Sequence, residues 1–194
     1  MREELRLPMM MFGSFKQTKA KRDENNKTIK KPNGQYVLQK YTKVHNEMAG
    51  DPGVFPSVNH IYQRTKNGRQ KLTKPAENLL EKWNSLAQIW SYNNGWELRS
   101  DKVVVEITTY FPNDNKERDT HNAIKLMMDA LEGVIYKKDS KALPRIMDFH
   151  KVEDNDAPHF MLTIYKKEEE DEIDRKSTRL NSSHRHTSRM PSSA

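Results

Sequence analysis

The chain has 194 residues and a formal net charge of +7, with 31% of its residues charged. It contains no cysteine, which excludes a disulfide framework, thiol chemistry and a cysteine-based zinc site. No apolar run approaches the ~20 residues needed to span a bilayer, and no signal-peptide hydrophobic stretch is present, so a cytoplasmic protein is expected.

Residues 1–34 are polar and basic. The runs K-Q-T-K-A-K-R and N-N-K-T-I-K-K-P-N-G read as a basic flexible arm. Such an arm either tracks phosphates or simply solubilises the chain. Gln35–Val44 has enough β-formers for a strand. Gly50–Pro56 holds Gly-Asp-Pro-Gly and reads as a turn. Ser57–Arg64 reads as extended, with Lys66-Asn67-Gly68-Arg69 as a tip. The cluster Arg64, Lys66, Arg69 and Lys71, near Tyr62, is the best candidate for contact with a phosphate backbone; the alternative is a solvated hairpin tip.

Thr73 can cap a helix over Lys74–Ser91, with Pro75 tolerated in its first turn. Leu79, Trp83, Leu86 and Trp90 recur at helical spacing, forming an apolar stripe for core or dimer packing. Asn93-Asn94-Gly95 then turns the chain. Lys102–Phe111 is the strongest strand, because Val103, Val105, Ile107 and Thr109 alternate with Val104, Glu106, Thr108 and Tyr110. Pro112–Asn115 ends it and delivers Asp119 to the start of a second helix. Val134–Tyr136 and Ile146–Val152 read as short strands, with Asp139 in a polar loop between them. Phe160–Tyr165 is a last strand, and Lys166–Asp171 an acidic, solvated end. The expectation is an α+β domain over 35–170, a small mixed β-sheet packed by two main helices.

Residues 171–194 read as a disordered tail. From Asp174 the sequence resembles the in-frame translation of a short-read sequencing adapter, in two blocks, Asp174–His184 and Ser188–Ala194. A segment of that kind is excluded from fold reasoning. Its five basic residues and one acidic residue account for much of the charge: without them the formal net charge falls from +7 to +3. Overall basicity is therefore no argument for a nucleic-acid partner.

The most informative stretch is Arg118–Asp139, R-D-T-H-N-A-I-K-L-M-M-D-A-L-E-G-V-I-Y-K-K-D. At about 100° per residue, Asn122, Lys125 and Asp129 fall within an arc of about 60° on an otherwise apolar helix. Such a strip either lines a cleft or is a solvated face with an i,i+4 pair. Carboxylates drawn from separate elements, with one lysine among them, suit Mg²⁺-dependent phosphodiester cleavage, since Mg²⁺ prefers oxygen ligands.

The pattern R-D-x-x-N-x-x-K-x-x-x-D-A-L-x-G-V-x-Y-x-x-D-S resembles the signature of the RusA family of Holliday junction resolvases, in its phage and Gram-positive form. F-P-S-V-N-H-I-Y, Phe55–Tyr62, followed by N-G-R-Q-K-L-T, resembles that family's N-terminal block. The match covers roughly residues 50–166. The resemblance implies a homodimeric endodeoxyribonuclease that resolves four-way DNA junctions by paired symmetric nicks, with Mg²⁺ or Mn²⁺, in recombination and repair. Carried over by position, Asp119, Lys125 and Asp139 are catalytic. Asp119, Asp129 and Asp139 are metal ligands, with His121 as a further candidate. Arg118 joins the Arg64–Lys71 cluster as a DNA contact, and Asn59, Tyr62 and Asn122 support the site.

Two departures stand out. His121 occupies a position that is a second catalytic aspartate in many members, and Lys138 precedes Asp139 where many read D-D-S. Imidazole prefers softer ions than Mg²⁺. Two alternatives follow: a catalytically weak junction-binding protein, and a nuclease for other branched DNA such as flaps or forks.

Overall fold

The computed structural model describes residues 4–153 and 155–170. In chain order these form β1 (Glu4–Pro8), β2 (Gly13–Ala20), β3 (Leu38–His45), α1 (Val58–Ile61), β4 (Tyr62–Arg64), β5 (Gln70–Leu72), α2 (Lys74–Asn93), β6 (Val103–Phe111), α3 (Ile124–Leu131), β7 (Ala142–Lys151) and β8 (His159–Lys166). Single 3-10 turns precede α3 at Thr120–Ala123 and β7 at Asp139–Lys141. The expected tail over 171–194 lies outside the described residues.

The main sheet has the order β1-β8-β6-β7. β6 runs parallel to β7, whereas β8 is antiparallel to both β6 and β1, so the sheet is mixed. The alternation in β6 decides which face is buried. Val103, Val105, Ile107 and Phe111 enter the core with Phe160, Leu162 and Ile164 of β8 and Leu5 and Leu7 of β1. Against that face, α2 buries Leu79, Trp83, Ala87 and Trp90, while α3 buries Leu126, Met127, Met128, Ala130 and Leu131. The expected α+β class and two-helix packing are what the structure has. Trp83 ties the layers together: its ring meets Phe160 edge-on at 5.9 Å, and its indole N–H donates to the Pro8 carbonyl at 2.7 Å.

Several local expectations are corrected. The arm expected over 1–34 contains β1, a strand of the main sheet, and β2, half of a ribbon with β3. The apolar alternation Leu5, Leu7, Met9, Met11 places those four side chains in the core, a period-2 signal outweighed in composition by the basic residues after it. Ser57–Arg64 is not uniformly extended, because Val58–Ile61 makes a helical turn before β4. Thr73 stands at the α2 N-cap position, but its hydroxyl donates to the His60 carbonyl at 2.9 Å instead of capping. Val134–Tyr136 forms no strand; Tyr136 makes only isolated bridges with Arg99 and Glu132. The acidic end is not freely solvated, since Glu170 is held by Arg145 and Lys167.

Candidate active site

The site is built on the crossover between parallel strands β6 and β7. After Phe111 the chain turns through Asp114, whose carboxylate accepts two hydrogen bonds of 2.6 Å from the Arg118 guanidinium. This bidentate pairing holds the Asp114 carboxyl down to about 2, well below its ordinary 3.8. The Arg118 side chain is only 8% exposed. The expected role of Arg118 as a DNA contact is therefore corrected: its donors are spent on folding the loop that presents Asp119.

Asp119 itself is exposed and caps the following turn. Its Oδ1 accepts the His121 backbone N–H at 2.8 Å and lies 3.0 Å from His121 Nδ1. The backbone hydrogen bond, then the ring, holds this carboxyl below its usual range. His121 thus touches Asp119 directly. Asn122 and Thr120 share the same 3-10 turn, so Asn122 precedes α3 and is not part of it.

One turn later Lys125 Nζ lies 3.3 Å from Asp129 Oδ1. The Asp129 charge, and then the hydrogen bond to it, raise the Lys125 pKa, with smaller contributions from Tyr62 and Asp139. Lys125 is therefore an ammonium at neutral pH, beside the Asp129 carboxylate and in the field of Asp139. An exposed i,i+4 pair contributes only about 0.3–0.5 kcal/mol, so it yields readily to a phosphate or a cation. Of the two sequence readings of the strip, the i,i+4 pair between Lys125 and Asp129 is present in the structure.

The end of α3 explains the Leu-x-Gly-Val-x-Tyr pattern. Gly133 sits at φ 79°, a left-handed conformation that reverses the chain after the helix. The buried Tyr136 hydroxyl then donates to the Met128 carbonyl at 2.8 Å, and the Gly133 N–H donates to the Tyr136 carbonyl at 2.8 Å. Burial pushes the Tyr136 phenol far up, so it remains a neutral donor. This lock clamps the helix end to the chain reversal at Gly133–Tyr136. From α2, the Asn84 side-chain amide donates to the Ala130 carbonyl at 2.9 Å and fixes the helix from behind.

Lys125, Asp129, Asp139 and Tyr62 thus share one neighbourhood, while Asp119 and His121 form a pair of their own. Among the described residues, no three or more His, Cys, Asp or Glu side chains converge in a metal-binding group. Arg64, Lys66, Arg69 and Lys71 are all exposed on the hairpin of β4 and β5, whose register pairs Tyr62 with Leu72 and Arg64 with Gln70. Asn59 and Tyr62 line a cavity of about 250 Å³ that also reaches Ser14 and Lys16 of β2. Sequence reasoning missed two residues that shape the site. Asp114 was legible as an acid four positions before an arginine. Tyr136 was read as a strand residue because its hydrogen bond leaves no periodic trace.

The family model described as Endodeoxyribonuclease RusA matches residues 52–165, which hold Asn59, Tyr62, Asp119, Lys125, Asp129 and Asp139. A search of curated proteins gives no match. Among the described residues no helix is long and apolar enough to cross a membrane. With its matched segment covering more than half of its length, the chain belongs to the RusA family of endodeoxyribonucleases, whose substrate is DNA.

Proposed function

We propose that this protein is a Mg²⁺-dependent, structure-specific endonuclease that resolves four-way DNA junctions by paired nicks as a homodimer. The observation that carries the reading is Lys125, an ammonium held 3.3 Å from Asp129 and within the field of Asp139. The donor chemistry fits a hard divalent ion, because Asp119 and Asp139 are exposed and Asp129 half-buried, all with oxygen donors. Asp119, Asp129 and Asp139 do not converge on one point among the described residues, so they would hold the ion only where the ion and the DNA phosphate draw them together; Mn²⁺ suits the same ligands. A bound Mg²⁺ supplies Lewis-acid charge and lowers the pKa of a coordinated water.

The chain's own residues do the remaining work. Lys125 faces the scissile phosphate and neutralises charge as the leaving oxygen departs. Releasing Asp129 from Lys125 costs little, so the same pair can divide between cation and phosphate. The Tyr136 lock fixes the end of the helix that carries Lys125. Arg64, Lys66, Arg69 and Lys71 contact backbone phosphates of an arm, which sets position but not sequence. A two-fold axis would duplicate the site and account for paired nicks.

The test is cleavage of a labelled four-way junction beside a linear duplex of matched sequence, in Mg²⁺, Mn²⁺ and EDTA. Metal-dependent symmetric nicking of the junction alone, lost in Asp119→Asn while binding persists, is the expected result. Full activity in Asp119→Asn would overturn the site assignment. Equal cutting of flaps or forks would move the substrate to branched DNA in general. One observation favours a second reading: an imidazole, not a second carboxylate, stands 3.0 Å from Asp119. Tight junction binding without cleavage in any metal would make the protein a junction-binding module, with His121→Asp as the change that restores chemistry.

A further inference from the structure

The ribbon of β2 and β3 lies outside the segment matched by the family, which begins at residue 52. Residues 13–45 carry nine basic and two acidic residues, a formal charge of +7, whereas residues 46–170 carry 18 basic and 20 acidic, or −2. The excess cation of this chain is therefore concentrated in one protruding element. All nine basic residues are exposed, and none makes a salt bridge among the described residues. Uncompensated like charges at this density repel one another and disfavour the compact state. The rest of the molecule, by contrast, pairs many of its charges.

The ribbon is also held in place. Phe15 and His45, at its root, are buried and meet edge-on at 5.8 Å, and Phe15 meets His60 of α1 at 6.4 Å. Beyond the root the register puts Lys16 and Lys40 on one face and Lys19 and Lys43 on the other. Lys19 lies over the Tyr41 ring at 5.1 Å, which stiffens that side chain without neutralising it. The cavity at the root is lined by Lys16 of the ribbon and by Asn59 and Tyr62 of the segment that the family model matches. Something bound along the ribbon therefore meets that segment.

We infer that the ribbon Gly13–His45 is a second DNA-binding element, inserted in a groove of a duplex arm and gripping its phosphates. This rests on the reading that the substrate is branched DNA. A two-stranded ribbon fits the ~12 Å major groove. The groove has phosphates along both walls, which matches cations on both faces of the ribbon. Contacts of this kind add affinity and hold the arm, but carry no sequence information. The hairpin of β4 and β5 and the ribbon would then grip the DNA on two sides of the cavity at Tyr62.

The experiment compares the full chain with a K16Q/K19Q/K40Q/K43Q variant and with a variant carrying arginine at those four positions. Binding to a catalytically silent four-way junction, in EDTA, is measured across a salt series, with thermal melting and oligomeric state recorded alongside. Neutralising four phosphate contacts should make the slope of log affinity against log salt shallower by about 3–4 and weaken binding more than tenfold at low salt. The arginine variant should keep the slope. An unchanged slope and affinity in a folded glutamine variant overturns the inference. So does a change in oligomeric state with an unchanged slope, which would assign the ribbon to the acidic body of a second copy. If the unsubstituted chain binds the junction but the variant is indifferent, only the ribbon assignment fails. If the unsubstituted chain neither binds nor cuts it, the junction reading fails as well.

Discussion

The segment Arg118–Asp139 and the ribbon Gly13–His45 handle charge in opposite ways. In the first, Arg118 is closed on Asp114, Asp119 on His121 and Lys125 on Asp129, each within one turn of chain. In the second, nine cations stand against two acids and none makes a salt bridge among the described residues. Short-range pairing fixes the direction of a few groups, which is what a reaction at one phosphorus requires. Unpaired charge produces a field that is indifferent to direction and reaches about a Debye length. One region is therefore built for geometry and the other for attraction.

The sharpest way to break this contrast is Lys125→Met. Cleavage of a bound junction should fall by about 10²–10³-fold, in line with the loss of one transition-state donor, while the salt slope of binding stays close to that of the unsubstituted chain. Single-turnover rates with the junction in saturating complex check it. Equal losses of rate and salt slope would mean that Lys125 works mainly as one more cation in the field.

Arg118→Ala comes next. It frees Asp114 and the loop before Asp119, at about 1–2 kcal/mol after allowance for partial exposure, measured by denaturant unfolding. A loss of DNA affinity without a loss of stability would return Arg118 to the DNA-contact role it was first assigned. The same pair gives a pH test. The Asp114 carboxyl is lower in the folded chain than its ordinary 3.8, at about 2. Its stabilisation is thus complete above pH ~4 and disappears as pH falls through ~2. Arg118→Ala should flatten this part of the acid-unfolding profile; a profile unchanged by the substitution would contradict the pairing.

Tyr136→Phe removes one buried hydrogen bond to the Met128 carbonyl, for a cost of about 1 kcal/mol. If the lock also sets the place of Asp139, three residues further on, cleavage should drop more than stability alone predicts, while binding holds. The smallest effect is expected at the root of the ribbon. Neither ring nitrogen of the buried His45 has a hydrogen-bond partner among the described residues. His45→Leu should raise the melting temperature slightly, by relieving an unsatisfied group worth about 1 kcal/mol. A marked destabilisation would show that His45 holds the ribbon through something other than packing.

What could be read from the sequence divides along the same line. β6, α2 and β8 were legible because burial imposes a period of 2 or 3.6 on their apolar residues. The candidate site was legible only through the resemblance, which marks Asp119, Lys125, Asp129 and Asp139 on one crossover; helical spacing alone did not separate a cleft from a solvated face. β1 was missed although Leu5, Leu7, Met9 and Met11 alternate, since its pairing partner β8 lies some 150 positions away. In the ribbon, the strand expected over Gln35–Val44 is present as β3, but its partner β2 was missed for a different reason. Beyond Phe15, β2 reads K-Q-T-K-A, so neither periodicity nor hydropathy marks it as paired. Only the backbone register identifies the basic tract as a rigid element.

That register has one more consequence. Gly13 and His45 face each other across the ribbon, so the chain leaves the body and returns to it at a single point. The excursion behaves as a cassette: its length can change without moving β1 or α1, and loop closure penalises each doubling by only about 0.6 kcal/mol. Relatives could lengthen, shorten or discard it while keeping the catalytic crossover intact. An engineer could likewise graft it at a tight turn of another nuclease to lend that enzyme a grip on duplex arms.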